Sequence, residues 1–218
     1  LQQILRSHYG PDGRPYDYLS GRAHPTVFNG KLLGEEGMVR AANSLEIDTI
    51  PPIVHLSVVE EDTATHGIDY FEAPGMRSET ITDTNAVISR VYRTRASQRT
   101  MTVSARQSID LSNRRLTYRW VLLRGDPSRV LIQPSEDGGQ AKITIAYHTR
   151  RPIEEGSSLV SNRIDIGVFA HNGHSYSAPG FITHLTLANE DRIYADDGRI
   201  LEISYGAHAR EYSLAPVA

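Results

Sequence analysis

Two histidines three positions apart, His171 and His174, are the residues whose type and spacing most readily suggest chemistry. Imidazole nitrogens are common metal ligands, and two rings at this spacing can share one ion. The intervening Asn172-Gly173 pair is typical of a tight turn, however, and on a turn the two rings need not converge. The nearest carboxylate in the sequence is Asp165. The pattern therefore favours an exposed polar turn over a metal centre.

Carboxylates in predicted loops offer a second kind of site. Their oxygens are the ligands that Ca²⁺ prefers, but the chain lacks the regular Asp-x-Asp-x-Asp-Gly spacing of dedicated calcium loops. We therefore predict no cofactor, keep calcium as the alternative, and interpret these acids as solvated loop residues. The acids concerned are Glu60, Glu61, Asp62, Glu190, Asp191, Asp196 and Asp197.

Aromatic residues suggest a third kind of site, for carbohydrate. Tyr70, Phe71 and Tyr176, together with His171 and His174, could form a platform on which a sugar ring stacks. The same rings could instead seal a seam between the N-terminal segment and the rest of the protein. Of the two interpretations, the sequence favours the seam.

Arginines are concentrated along one predicted strand and the turn after it. Their long stems cover sheet faces and their guanidinium groups pair with acids, so the pattern favours a solvated outer face. A binding patch for an acidic polysaccharide is the alternative. The residues are Arg90, Arg93, Arg95 and Arg99, with Arg114, Arg115 and Arg119 nearby.

The sequence gives little support for a catalytic site. The absence of cysteine excludes thiol catalysis, disulfides and cysteine-ligated zinc. A serine nucleophile usually lies at a strand–turn–helix elbow, but the chain contains no Gly-x-Ser-x-Gly motif. His24 and His55 stand alone among apolar neighbours, which is typical of structural histidines. A glycosidase-like pair of carboxylates from distant positions stays open, but nothing indicates a specific pair. The sequence therefore favours a non-catalytic chain and leaves an enzymatic role open.

Composition and charge exclude other classes of function. The 218 residues are 39% hydrophobic and 22% charged, which is an ordinary globular composition. A net charge of -3 gives no electrostatic reason to expect a nucleic-acid backbone as ligand, so we predict no nucleic-acid partner. No apolar run approaches the roughly 20 residues that a membrane helix needs, so we predict no membrane span.

The periodicity of apolar residues changes along the chain. Helical spacing and early acids predict one helix over 34–45, and Pro51-Pro52 bars its continuation. From residue 53 onward the period is two, and Asp197-Gly198 between two apolar runs predicts a hairpin with a tight turn. Short strands at this spacing predict an antiparallel β-sandwich. The predicted strands are 53–59, 86–92, 99–105, 116–123, 129–133, 141–147, 163–169 and 181–187.

One strand carries the most diagnostic residues. Alternation places Leu116, Tyr118 and Trp120 on one face, which we predict to be the core face. Ser108 and Asp110 precede this strand in a turn, where short polar side chains can bond to local backbone.

These residues resemble the polycystic-kidney-disease-type (PKD) domain, an immunoglobulin-like sandwich common in secreted bacterial proteins. The Ser-x-Asp turn and the Leu-x-Tyr-x-Trp strand match, as does a later strand that ends at Asn172-Gly173, and the resemblance spans about 84–188. Of the turn that follows the tryptophan strand in the family, only Gly125-Asp126 is present, and 150–161 has the character of an insertion. The resemblance implies a non-catalytic spacer or interaction module, extracellular or periplasmic, that contacts protein or polysaccharide.

The predicted organisation has three parts. Residues 1–80 form an extension or the tail of a preceding domain, 81–190 form the sandwich, and 191–218 form a hairpin and tail.

We expect an accessory module of a larger exported bacterial protein, in which a catalytic domain could precede this chain. One alternative is the C-terminal part of a carbohydrate-active or other hydrolase, with His24, His55 or Glu60 contributing to its site. Another alternative is a self-assembling surface or filament subunit.

Overall fold

A computed structural model describes residues 1–67, 69, 80–153, 158–187 and 190–205. The protein is mainly β, as the sequence predicts, with an irregular N-terminal segment that contains helices. The helices are α1 Gln2–Ser7 and α2 Glu35–Asn43, and the second occupies the predicted helical position. The strands are β1 Ser57–Glu61, β2 Thr80–Asp83, β3 Val87–Tyr92, β4 Gln98–Ser104, β5 Thr117–Arg124, β6 Val130–Pro134, β7 Gln140–Ala146, β8 Arg151–Pro152, β9 Val160–Ser161, β10 Ile164–His171, β11 Gly180–Thr186, β12 Glu190–Tyr194 and β13 Ile200–Tyr205.

Two larger sheets form the body of the protein. One has the order β1-β4-β7-β6 and the other β2-β3-β11-β10-β5. Constant-type immunoglobulin domains pair strands A, B, E and D in one sheet and C, F and G in the other. The order β1-β4-β7-β6 corresponds to A-B-E-D, and β5-β10-β11 to C-F-G. The strand pairs of the two sheets are antiparallel, as the sequence predicts, except that β3 runs parallel to β11.

The core lies between these sheets and draws apolar side chains from both. Period-two alternation buries every second residue of β3, β7 and β11, whereas seven of the eight residues of β10 are buried. Strand β10 lies between β11 and β5 in its sheet, and the N-terminal segment covers part of its outer face. Buried core residues include Ile88, Val103, Ile143, Ile166, Val168 and Ile182.

Part of the predicted N-terminal extension belongs to the sandwich. Strand β1 pairs with β4, and Val54 and Leu56 join the common core. The sandwich thus begins ahead of residue 81, because this apolar stretch completes an edge of the first sheet. The division of the chain into domains at residues 80 and 190, and the origin of 1–80 in a preceding domain, stay predictions.

The predicted C-terminal hairpin is present as β12 and β13, but its turn differs from expectation. Of Asp197 and Gly198, only Gly198 has a positive φ, at 82°. The Gly198 N–H bonds to Ala195 O, and the Ala195 N–H bonds to Arg199 O. These bonds describe a β-turn followed by a left-handed glycine, one of the longer hairpin connections. Only the glycine therefore needs the left-handed conformation.

Candidate functional site

The histidine turn carries the residues that the sequence singled out for binding. His171 ends β10, and its Nδ1 accepts a hydrogen bond from the Gly173 N–H at 3.2 Å. The His171 ring lies 4.5 Å from that of Tyr176, while His174 is exposed. Within the described ranges, no group of three or more histidine, aspartate or glutamate residues could hold a metal ion. His174 thus lies at the surface, whereas Asn172 of the same turn is buried.

Tyr176 faces the N-terminal segment. Its ring stacks on that of Tyr18 at 6.2 Å, and the Tyr18 hydroxyl donates to Ser177 O at 2.8 Å. Tyr18 also contacts buried Phe169 and the ring of His24. These contacts support the interpretation of Tyr176 as part of a seam. Tyr70 and Phe71 lie outside the described residues.

His24 is a structural residue of that seam. Burial lowers the pKa of His24 to about 4, so the ring is neutral at pH 7. Its Nε2–H donates to Tyr18 O, and its Nδ1 accepts from Arg6 at 3.4 Å. Both ring nitrogens are therefore engaged in holding the segment in place.

The two turns that carry the PKD resemblance are joined to each other. Asp110 Oδ1 accepts from Asn172 Nδ2 at 2.7 Å, and Asp110 Oδ2 accepts from the backbone and side chain of Arg114. Asn172 Oδ1 in turn accepts from the N–H groups of His174 and Ser175. The bond from Asn172 and those from Arg114 lower the pKa of Asp110 to about 2. These residues close one end of the sandwich.

Leu116, Tyr118 and Trp120 pack against the core as partly buried side chains. Trp120 Nε1 donates to Gly138 O at 2.8 Å, which ties β5 to the turn between β6 and β7. Thr117 and Arg119, between them in sequence, are exposed. The alternation thus gives these three side chains a packing role.

The predicted acidic and arginine groups meet each other in the structure. Glu61 accepts a forked pair of hydrogen bonds from Arg90, and Asp62 Oδ2 accepts from the Thr100 N–H. Arg99 binds Asp69. The interpretation of Arg90 as a solvated outer-face residue is wrong, because its side chain is 1% exposed and lies within ion pairs.

A different group of arginines lines a cleft at the other end of β5. The cleft has a volume of about 170 Å³ and is formed where three chain segments meet. The end of β5 and the residues after it contribute Arg124 to Asp126. The segment after β7 contributes His148, Thr149 and Arg151 to Ile153, and Ser161 to Arg163 precede β10. Arg124, Arg151 and Arg163 are the cationic side chains of this wall, and all three remain partly exposed.

Two carboxylates hold these arginines in place. Asp165 accepts from Arg163 Nε at 2.8 Å and lies 3.6 Å from Arg124 Nε. Asp126 binds Arg151 Nη2 at 2.8 Å. A guanidinium carries five N–H donors, more than these contacts use. Among the described residues of this region, three guanidinium groups face two carboxylates, in a protein whose net charge is -3.

His148 fixes the shape of the cleft without carrying charge. Its Nε2 accepts from the Asp126 N–H at 3.0 Å, and its Nδ1 donates to Ala146 O at 2.8 Å. Burial lowers the pKa of His148, which favours this neutral form. Asp126 also caps the short turn after β5 through Ser128, and these bonds with Arg151 lower the pKa of Asp126 to about 2.

Gly125 is the one position of this wall that requires glycine. Its φ is +127°, and an added Cβ would lie 3.3 Å from Ile164 Cγ2 and 3.4 Å from His148 Nε2. We expect Gly125→Ala to lower the free energy of unfolding by about 1–3 kcal/mol, measured by urea unfolding. Gly173→Ala is the control, because Gly173 also has a positive φ but has open space around its Cα. An equal or smaller loss in Gly125→Ala would contradict the close packing described here.

Sequence reasoning did not find this cleft. Its arginines are far apart in the sequence and follow no common period. The segment 150–161 has the character of an insertion, yet β8 and β9 at its ends pair with each other and form one wall. The local sequence feature that lies in the cleft is Gly125-Asp126, which directly follows the strand that contains Trp120.

Comparisons with known proteins identify no relative of this chain. No family model, no curated protein and no solved structure matches it. Among the residues that the structure describes, no helix has both the length and the apolar character needed to cross a bilayer.

Proposed function

We propose that this chain is a non-catalytic interaction module of a larger exported protein, and that it holds a carboxylate group of an acidic polysaccharide. The observation that carries this proposal is the cleft of Arg124, Arg151 and Arg163. Guanidinium groups bind carboxylates through paired N–H donors, with geometry that a lysine does not provide. The strand order of the immunoglobulin fold and the PKD resemblance support the role of an extracellular or periplasmic accessory domain.

The placement of the cleft supports an accessory role. The cleft lies at an end of the sandwich, where loops are the usual contact surface of immunoglobulin-like domains. Its arginines are positioned by Asp126 and Asp165, whose oxygens are themselves hydrogen-bonded by Ser128 and Thr183. A ligand carboxylate therefore meets donors that are already oriented, so less conformational entropy is lost on binding.

The experiment compares acidic with neutral polysaccharides. We expect polygalacturonate oligomers to bind the full chain in titration calorimetry, and uncharged galactan oligomers to bind at least tenfold more weakly. Added salt should weaken the binding, since an exposed charge–charge contact is screened. Equal binding of both polymers, or no binding of either polymer, would overturn the proposal. Binding of polyglutamate in preference to both polysaccharides would contradict a polysaccharide ligand and would indicate an acidic protein segment as the partner.

Arg151 is the best single position for a variant. Its side chain is 63% exposed, so Arg151→Gln leaves the core intact. We expect the affinity for polygalacturonate to fall about tenfold to a hundredfold, because a charge-assisted hydrogen bond contributes about 1.5–3 kcal/mol. Arg106→Gln is the matched control, since Arg106 is also exposed and paired with an aspartate, Asp137, but does not line the cleft. Equal losses in both variants would indicate a general charge effect.

A further inference from the structure

The C-terminal hairpin presents a strand edge with apolar side chains. Within the described residues, β13 pairs with β12 alone, so its other edge has unpaired backbone groups. Leu201 is 60% exposed, Ile203 37% and Tyr205 70%. Natural proteins usually protect such edges with lysine, proline or a covering element, because an open edge pairs with other strands. Strand β13 contains neither lysine nor proline.

The hairpin is held firmly against the sandwich, so this edge has a fixed position. The Tyr194 hydroxyl donates to Arg95 O at 3.0 Å, and the Tyr194 ring lies 5.4 Å from that of Tyr147. Buried Arg192 donates to Thr94 O and pairs with Glu190. A two-stranded hairpin alone is marginally stable in water. These contacts therefore supply the support that the hairpin needs.

The sequence of β13 is complementary to itself in one antiparallel register. In an antiparallel pair of strands, directly opposite residues either exchange two backbone hydrogen bonds or exchange none, and these two kinds of residue pair alternate along the strands. A two-fold axis between two neighbouring residue pairs would make them identical, which this alternation forbids. The axis must therefore pass through one residue pair, so a strand that pairs with its own copy places one residue opposite the same residue of the copy. Within Ile200–Tyr205, only the registers centred on Glu202 and Ile203 pair five residues.

Charge decides between these two registers. A centre at Glu202 places two glutamates directly opposite each other, which is destabilising. A centre at Ile203 places Glu202 opposite Ser204 and Leu201 opposite Tyr205 of the second copy, with Ile203 opposite Ile203. Leu201, Ile203 and Tyr205 of each strand then form one continuous ladder across the pair.

We propose that β13 is a self-association surface, and that two copies of this chain pair through it antiparallel about Ile203. The product is a four-stranded sheet with the order β12-β13-β13-β12. Both copies use the same surface patch, so the association closes as a two-fold dimer and does not extend into a filament. The arginine cleft takes no part in it, so the proposal stands independently of the proposed ligand.

Cysteine crosslinking tests the register, because the chain has no cysteine of its own. We expect the full chain with Ile203→Cys to form a disulfide-linked dimer under mild oxidation, seen on a non-reducing gel. Leu201→Cys and Tyr205→Cys should each remain monomeric alone, because like positions lie four residues apart, about 13 Å. An equimolar mixture of those two variants should crosslink. No dimer from Ile203→Cys, or equal crosslinking of all three single variants, would overturn the proposal.

Sedimentation velocity over a range of protein concentrations tests the association without a crosslink. We expect the unmodified chain to show a reversible dimer, and Ile203→Lys to remove it by setting two lysines opposite each other. Ile193→Lys is the matched control, because Ile193 is 55% exposed on the same hairpin but lies on β12. A chain that is monomeric at every concentration, or a dimer that survives Ile203→Lys, would contradict the proposal. Thermal unfolding of both variants checks that each remains folded.

Discussion

Replacing Arg90 with methionine should destabilise this protein by about 3–5 kcal/mol, because it removes one partner of a buried ion-pair group. Arg90 lies on β3, and its guanidinium binds Glu61 of β1 through two nitrogens, at 2.8 and 3.0 Å. A third nitrogen binds Asp83 of β2 at 2.9 Å. Arg90 therefore joins an edge of one sheet to an edge of the other. Without it, two carboxylates lose their counter-charge.

The loss should fall toward the lower end of that range. The side chains of Glu61 and Asp83 are 27% and 53% exposed, so water can partly replace the arginine. Urea unfolding measures the effect, and Arg106→Met serves as control because the exposed Arg106–Asp137 pair is worth about 0–1 kcal/mol. A double-mutant cycle with Glu61→Gln isolates the energy of the Arg90–Glu61 contact. A loss below 1 kcal/mol in Arg90→Met would show that the two sheet edges do not depend on this group.

Strand positions could be predicted from the sequence because each strand carries its own local signal. Alternating apolar residues and turn formers located β3 to β7, β10 and β11 to within a few residues, and Asp197-Gly198 located the C-terminal hairpin. The fold class follows from that spacing. The parallel pairing of β3 with β11 could not be predicted, because strand direction depends on contacts between distant segments.

The roles of charged residues could not be predicted from the same patterns. Arg90 occupies a β3 position whose burial depends on Glu61 and Asp83, neither of which is close to it in sequence. The cleft likewise needs three segments to meet, and no one of them carries a complete motif. The histidine turn had the stronger local pattern, but among the described residues its long-range side-chain hydrogen bonds are made by Asn172 and not by the two histidines. Spacing identifies groups within one element, whereas this cleft is assembled between elements.

Stability should fall steeply as the pH decreases from about 6.5 to 4, and His184 should account for about 2–3 kcal/mol of the loss between pH 7 and 4.5. His184 lies on β11 with its ring 5.8 Å from that of Tyr92. Within the described part of the chain, neither ring nitrogen has a hydrogen-bond partner. Burial, reinforced by the positive charges of Arg99 and Arg90, lowers the pKa of His184 to about 4.

The direction in which stability changes with pH follows from the lowered pKa of His184. The unfolded chain takes up a proton near the ordinary pKa of 6.5, whereas the folded chain resists it until about pH 4. Stability is therefore lost as the pH falls from about 6.5 toward 4, and the loss is complete below the folded pKa, where both states carry the proton. His24 acts in the same direction, since burial lowers its pKa to about 4 as well. The carboxylates of Asp110 and Asp126 have a pKa of about 2, so their contributions are lost only at lower pH.

Urea unfolding at several pH values measures this loss, and two variants assign it. His184→Leu removes a buried group that has no hydrogen bond to lose, so we expect a change within about 1 kcal/mol at pH 7. At pH 4.5 the same variant should be more stable than the unmodified chain, because it has no buried imidazole to protonate. His174→Leu, at an exposed position, should leave the pH dependence unchanged. If His184→Leu retained the full acid sensitivity, the assignment of the loss to His184 would be wrong, and His24 and His148, whose pKa burial also lowers, would be the next residues to replace.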